Sequence, residues 1–263
     1  MKKYINCMKG IIYKELIRFF KQKSRFFSAL VRPLLWLFIF SVGFHTTTYN
    51  LEINKFSKMD ISYEEYIIPG LVGMILLFNG MQSSLIMIFD KEMGSMKILL
   101  SSFINRNYLL FCKMFAISIV STIQVLTFLI IAKIYGIEIS IFSIFILIPI
   151  IIISSIILNA LAIFISSQIN QLENFASVMN FVIFPMFFLS SALYPLSKFE
   201  DSSIILYYVS ILNPFTYIVE FIRYSIYLQL DTKTIIIIVL SLLISLKMAF
   251  GGFKSKKIKS KNM

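Results

Sequence analysis

Residues 139–165 read ISIFSIFILIPIIIISSIILNALAIFI, 27 positions without a charged side chain. As a helix this run is longer than the roughly 30 Å hydrocarbon core of a bilayer. Lipid offers no partner to a free backbone N–H or C=O, so a run that crosses it has to satisfy its own backbone, as a helix does. Five other stretches are predominantly apolar, and the sequence predicts six spans at about 27–47, 67–89, 108–132, 139–165, 172–193 and 234–250. With 58% hydrophobic residues and 27 phenylalanines, little of the 263-residue chain is left for a soluble domain. The expected fold is therefore an all-α integral membrane protein with one transmembrane domain over 1–263, its core at 27–250.

The net charge of +12 raises the question of a nucleic-acid partner, but the basic residues flank the spans. Residues 1–32 hold nine Lys/Arg, the loop 90–113 four and the tail from Lys247 six, together 19 of the 25. The intervening loops 45–66, 133–138 and 194–233 hold the other six. An excess of positive charge marks the cytoplasmic side, and anionic headgroups attract it there. Both termini are thus expected in the cytoplasm, with 251–263 as a basic tail.

Two segments depart from the pattern of plain spans and loops. In 1–26, Ile5, Met8, Ile12, Leu16 and Phe19 fall on one helical face, while Lys9, Lys14, Arg18, Lys21 and Arg25 crowd another. That pattern predicts an amphipathic helix in the headgroup plane. The basic part is too long for a cleaved signal, and no small-residue cleavage site follows. The second segment, 202–230, is apolar enough for a seventh span, but Asn213-Pro214 lies at its middle with Glu220 and Arg223 beyond. Asn-Pro marks a helix break, and a seventh span would carry the lysine-rich tail to the other side. Two short re-entrant helices meeting at Asn213-Pro214 fit better, and Glu220 and Arg223, three apart, can pair on the second.

The loop after the second span, FDKEMGSMKILLSSFINR (89–106), is not a plain polar connection. Asp90 and Glu92 suit the first turn of a short helix. Met96, Leu99, Leu100 and Phe103 follow at three- and four-residue spacing, giving an apolar stripe. Gly94 permits a tight bend or the close approach of another backbone, and Arg106 leads back to the membrane. On these residues alone, a linker helix on the membrane surface and a docking helix are both open.

The run D-x-E-x-G-x-M-x-x-L-L-S-S-x-x-x-R resembles the cytoplasmic loop of ABC-2 type transporter permeases. RFFSALVRPLLWLFIFSVGF (25–44) resembles that family's entry into its first span, SSALYPLS (190–197) its element at the end of span five, and LNPFTYIVEFIR (212–223) its motif in the re-entrant helices. YIIPGLVGMILLFNGMQSS and NQLENFASVMNFVIFPMFFLSSALYPL are similar to the subgroup associated with quinone-dependent alcohol oxidation. The resemblance implies that 90–106 is a coupling helix docking on an ATPase subunit through Asp90, Glu92, Gly94, Met96, Leu99, Leu100 and Arg106. Where the family usually has proline, this chain has Phe103.

No G-x-x-x-x-G-K-[ST] phosphate loop occurs, so the usual ATP site is absent from the sequence. ATP and magnesium are expected on a separate partner chain, with no cofactor and no metal on this one. The single histidine, His45, sits near the end of span one with no second histidine or G-x-S-x-G, and reads as an interfacial residue. Cys7 and Cys112 lack the spacing of a disulfide framework or a metal site. Asn79, Gln82 and Ser83 share one face of span two, and Gln124, Asn159 and Asn180 lie in spans three, four and five. Such side chains either line a substrate pathway or hydrogen-bond between helices.

The resemblance implies the permease subunit of an ATP-driven exporter in a bacterial inner membrane, working as a homodimer with two ATPase subunits. A stand-alone pore or secondary transporter is the rival reading. Inverted repeats or a buried acidic relay would mark it, and neither is evident in the sequence.

Overall fold

The computed structural model describes residues 2–44, 48–54, 57–94, 104–137, 139–169, 171–228 and 232–259. It is nearly all helical, with α1 at Lys2–Lys21, α2 at Lys23–Phe44, α3 at Tyr63–Glu92, α4 at Arg106–Ile134 and α5 at Ile141–Gln168. These are followed by α6 at Leu172–Phe188, α7 at Leu196–Ser202, α8 at Ile204–Leu212, α9 at Pro214–Ile226 and α10 at Thr232–Lys259.

The expectation of an all-α fold is corrected between α2 and α3. That stretch contains an antiparallel hairpin, β1 (Thr48–Asn54) and β2 (Ser57–Ser62). The period-2 pattern of Tyr49, Leu51 and Ile53 against Met59 and Ile61 carries the reason. The register sets Tyr49 opposite Ile61 and Leu51 opposite Met59.

Strand β2 then runs straight into α3 through a capping box. The Glu65 N–H donates to Ser62 Oγ at 3.3 Å, and the Ser62 N–H donates to Glu65 Oε2 at 3.4 Å. Two of the four orphan amides of a helix start are satisfied in this way. Helix α3 consequently begins four residues earlier than the predicted span.

Four helices are long and apolar enough to cross a membrane: α3, α4, α5 and α10. A fifth crossing follows if the bent pair α8–α9 is one span. The apolar parts of α2 (Ala29–Gly43) and α6 (Leu172–Phe188) are shorter. Helix α6 stops at Phe188 and not near Leu193, and 189–195 form a turn. Helix α10 continues through Lys259, so most of the basic tail is helical.

Helix α3 is the centre of the bundle. Its most apolar stretch is 83% buried, against 17% for α10, which therefore packs at the periphery. Glycines let neighbours close on it. A Cβ at Gly70 would stand 2.5 Å from the Ala192 carbonyl oxygen, and one at Gly80 would stand 2.9 Å from Asn159 Oδ1. Helices α2, α4, α5, α6 and α9 all pack against α3, and α10 packs on α5 and α9.

Candidate functional site

At the end of the bundle that carries the 90–106 loop, the described residues show how the loop is anchored. Asp90 faces Lys113 of α4 at 3.9 Å. Glu92, in the last turn of α3, accepts the Leu172 N–H at 2.9 Å. It places a carboxylate on the positive end of α6, where a helix favours negative charge. Gly94 has φ +73° with open space around it, so the tight bend is the observed use of this glycine. Arg106 opens α4, whose N-cap Asn105 accepts the Asn107 N–H at 3.2 Å. Met96, Leu99, Leu100 and Phe103 lie outside the described residues, as does His45.

Helix α1 lies against the start of α4. The Tyr4 and Tyr108 rings meet edge to face at 5.0 Å, and Tyr108 Oη donates to the Tyr4 carbonyl at 2.9 Å. Of the expected apolar face, Phe19 is buried, Met8, Ile12 and Leu16 are half-buried and Ile5 is exposed. Lys9, Lys14 and Lys21 are exposed.

Midway along the bundle, two of the polar candidates meet. Asn79 Nδ2 donates to Ser121 Oγ at 3.1 Å and to Gln124 Oε1, tying α3 to α4. Asn159 of α5 donates to Ser155 Oγ at 3.2 Å and lies against Gly80 of α3. These three amides are buried. Gln82 is half-buried and Asn180 is exposed on α6, and neither joins that cluster.

The hairpin end is held by two side chains. Asn213 caps α9, its Oδ1 accepting the Phe215 N–H at 3.0 Å. Its Nδ2 donates to the carbonyls of Met186 and Leu189, both at 2.7 Å. Pro214 occupies the first helical position, where its missing N–H costs nothing. The break expected at Asn213-Pro214 is present, and the α8–α9 axes differ by 76°.

Arg223 is only 2% exposed and pairs with Glu220, as their spacing allows. It also donates to the Ser191 carbonyl at 2.7 Å and lies 4.1 Å over the Tyr66 ring. Tyr66 Oη donates to the same carbonyl at 3.0 Å. One arginine thus joins α9, the start of α3 and the turn after α6. Beyond α9, burial and the nearby Glu65 carboxylate raise the Tyr227 hydroxyl well above its usual range.

Sequence reasoning finds the Glu220–Arg223 pair and misses Tyr66 and Ser191, because any residue can supply a main-chain carbonyl. It also groups Arg32 with the N-terminal segment, although its guanidinium lies over Phe78, in the middle of α3. No cluster of three metal-ligating side chains occurs among the described residues.

Comparison with known proteins gives a consistent result. The profile of the ABC-2 type transporter family matches residues 7–227. A protein of Cyanophora paradoxa named "Putative transport permease ycf38" is 30% identical over 223 residues, covering 81% of this chain and 72% of its own length. Its namesake from Porphyra purpurea is 24% identical over 220 residues, with 82% and 72% covered.

Proposed function

The chain belongs to the ABC-2 type transporter family, and from that premise we propose that it is the permease subunit of an ATP-driven exporter. The family match over 7–227 carries the reading, since it takes in the whole helical core up to α9 and the loop after α3. Helices α2, α3, α4, α5, α6 and α10 are the six spans in this proposal, and α8–α9 re-enter from the outer side. The positive charges then place both termini and the 90–106 loop in the cytoplasm of a bacterial cell, and α1 lies in the inner headgroup layer. We assign the chain to the subgroup associated with quinone-dependent alcohol oxidation, on the resemblance of the α3 and α6 stretches.

Two copies form the pathway, and two ATPase subunits bind and hydrolyse ATP with magnesium. In this mechanism, closure of the ATPase dimer moves the 90–106 segment, which docks through Met96, Leu99 and Leu100. Asp90 and Glu92 transmit the movement, because one is ion-paired to α4 and the other caps α6. A pull on the loop thus reaches three helices at once. Asn79, Gln124 and Asn159 hold helices together, whereas Gln82 and Asn180 are the polar side chains left to face the pathway.

The test is copurification with the cognate ATPase. Leu99→Asp combined with Leu100→Asp should abolish ATPase capture while the permease still inserts and elutes as a folded species. Capture that survives this double change overturns the docking assignment. A wild-type chain that never captures an ATPase and still conducts or exchanges solute overturns the permease reading in favour of a stand-alone pore.

A further inference from the structure

The chain has two cysteines, Cys7 and Cys112, far apart in sequence. The fold brings them to one place. Cys7 is three residues beyond Tyr4 on α1, and Cys112 is four residues beyond Tyr108 on α4, so each shares a helix face with its tyrosine. Tyr4 and Tyr108 are the pair whose rings meet at 5.0 Å. The Tyr108 hydroxyl donates to the Tyr4 carbonyl at 2.9 Å, and the Cys112 thiol is hydrogen-bonded to the same hydroxyl. Cys7 interacts electrostatically with both Tyr108 and Cys112. The two sulfurs therefore stand together in the α1–α4 contact, with one phenol beside both.

Both thiols are free, and they differ in access. Cys7 is half-buried and Cys112 fully buried. A reagent from solution meets Cys7 first, and Cys112 is the neighbour placed to resolve the product. A thiol-based redox site needs that division, with one accessible attacking sulfur and a resolving sulfur next to it.

We propose that Cys7 and Cys112 form a reversible disulfide that clips α1 to α4. The Cys7 thiolate attacks one sulfur of a low-molecular-weight disulfide and displaces its other half as a thiolate. The Cys112 thiolate then attacks the Cys7 sulfur of the mixed disulfide and releases the second half. Two protein thiols are oxidised to one disulfide, and the small disulfide is reduced to two thiols, which take up the two protons. Disulfides inside a cell are mostly transient and redox-sensing. Helix α4 begins at Arg106, where the 90–106 loop ends, so the clip restrains the helix into which that loop leads. This consequence rests on the permease reading, whereas the disulfide does not.

The purified, reduced chain in nanodiscs is treated with glutathione disulfide, quenched with a maleimide in SDS and weighed intact. The main product should carry neither maleimide nor glutathione, should have lost two hydrogens, and should run as a monomer on a non-reducing gel. A neighbouring thiol acts at an effective concentration of about 1 mM, so at micromolar chain this product should exceed the covalent dimer by at least about tenfold. Dithiothreitol should restore both thiols. Cys7→Ala and Cys112→Ala should each abolish the product. A chain that carries glutathione on Cys7 with Cys112 still open to maleimide overturns the proposal. So does a chain labelled at both cysteines, and so does a covalent dimer as the main product. In the complex with the ATPase, oxidation should lower ATP hydrolysis at least about fivefold in the wild type and leave Cys7→Ala unchanged. A disulfide with unchanged hydrolysis overturns the restraint on α4. A chain that forms the disulfide and never captures an ATPase overturns the permease reading alone, and one that captures the ATPase without forming the disulfide overturns this inference alone.

Discussion

The two ends of the bundle are fastened differently. At the hairpin end, Arg223 and Asn213 are buried, and between them they donate to the main-chain carbonyls of Ser191, Met186 and Leu189. At the loop end, Asp90 and Lys113 are about a quarter and a fifth exposed at 3.9 Å, and the Glu92 cap is at the surface. Bonds to buried carbonyls are costly to break, because each loss strands a polar group away from water. A surface contact such as the Glu92 cap exchanges with solvent at little cost, and the Asp90–Lys113 pair is half-buried. The hairpin end is clamped, and the loop end is tethered in a way that lets it shift.

Three measurements test that contrast. The largest effect is expected from Arg223→Met. It strands the Glu220 carboxylate and leaves the Ser191 carbonyl with the Tyr66 hydroxyl as its donor, and should destabilise the protein by about 3 kcal/mol in reversible unfolding by SDS in mixed micelles. A cost under about 1 kcal/mol would show that water already satisfies this end. An intermediate effect is expected midway along the bundle. Asn79→Leu and Gln124→Leu should be non-additive in a double-mutant cycle, with a coupling of about 0.6 kcal/mol. Zero coupling would remove the α3–α4 tie. The smallest effect is expected from Glu92→Ala, about 0.5 kcal/mol. If it costs as much as Arg223→Met, the two ends are equally fixed and the contrast fails.

Much of this architecture is legible in the sequence. The long apolar runs mark α3, α4, α5 and α10 because lipid imposes a length on a helix. Asn213-Pro214 marks the bend between α8 and α9 because proline blocks continuation of the first helix while asparagine caps the second. The three-residue spacing of Glu220 and Arg223 predicts their pair. The hairpin escapes a reading at helical periodicity, although Tyr49, Leu51 and Ile53 alternate with polar residues, because a seven-residue strand between two spans looks like a polar loop. For Glu92 it is the family resemblance, and not its charge, that implies a contact with a partner protein. Its bond to the amide of residue 172, 80 positions on, is a tertiary event that local pattern does not encode. Arg32 counts as a flanking charge in the sequence because only packing places it beside Phe78.

The join between β2 and α3 has a consequence of a practical kind. Ser62 is both the last residue of the strand and the cap of the helix, with no linker between them. The hairpin is therefore a pointer fixed to the shaft of the most buried helix. A spin label or fluorophore placed on it would turn with α3, so the rotation of a helix hidden inside the bundle could be followed from the surface without touching the bundle itself.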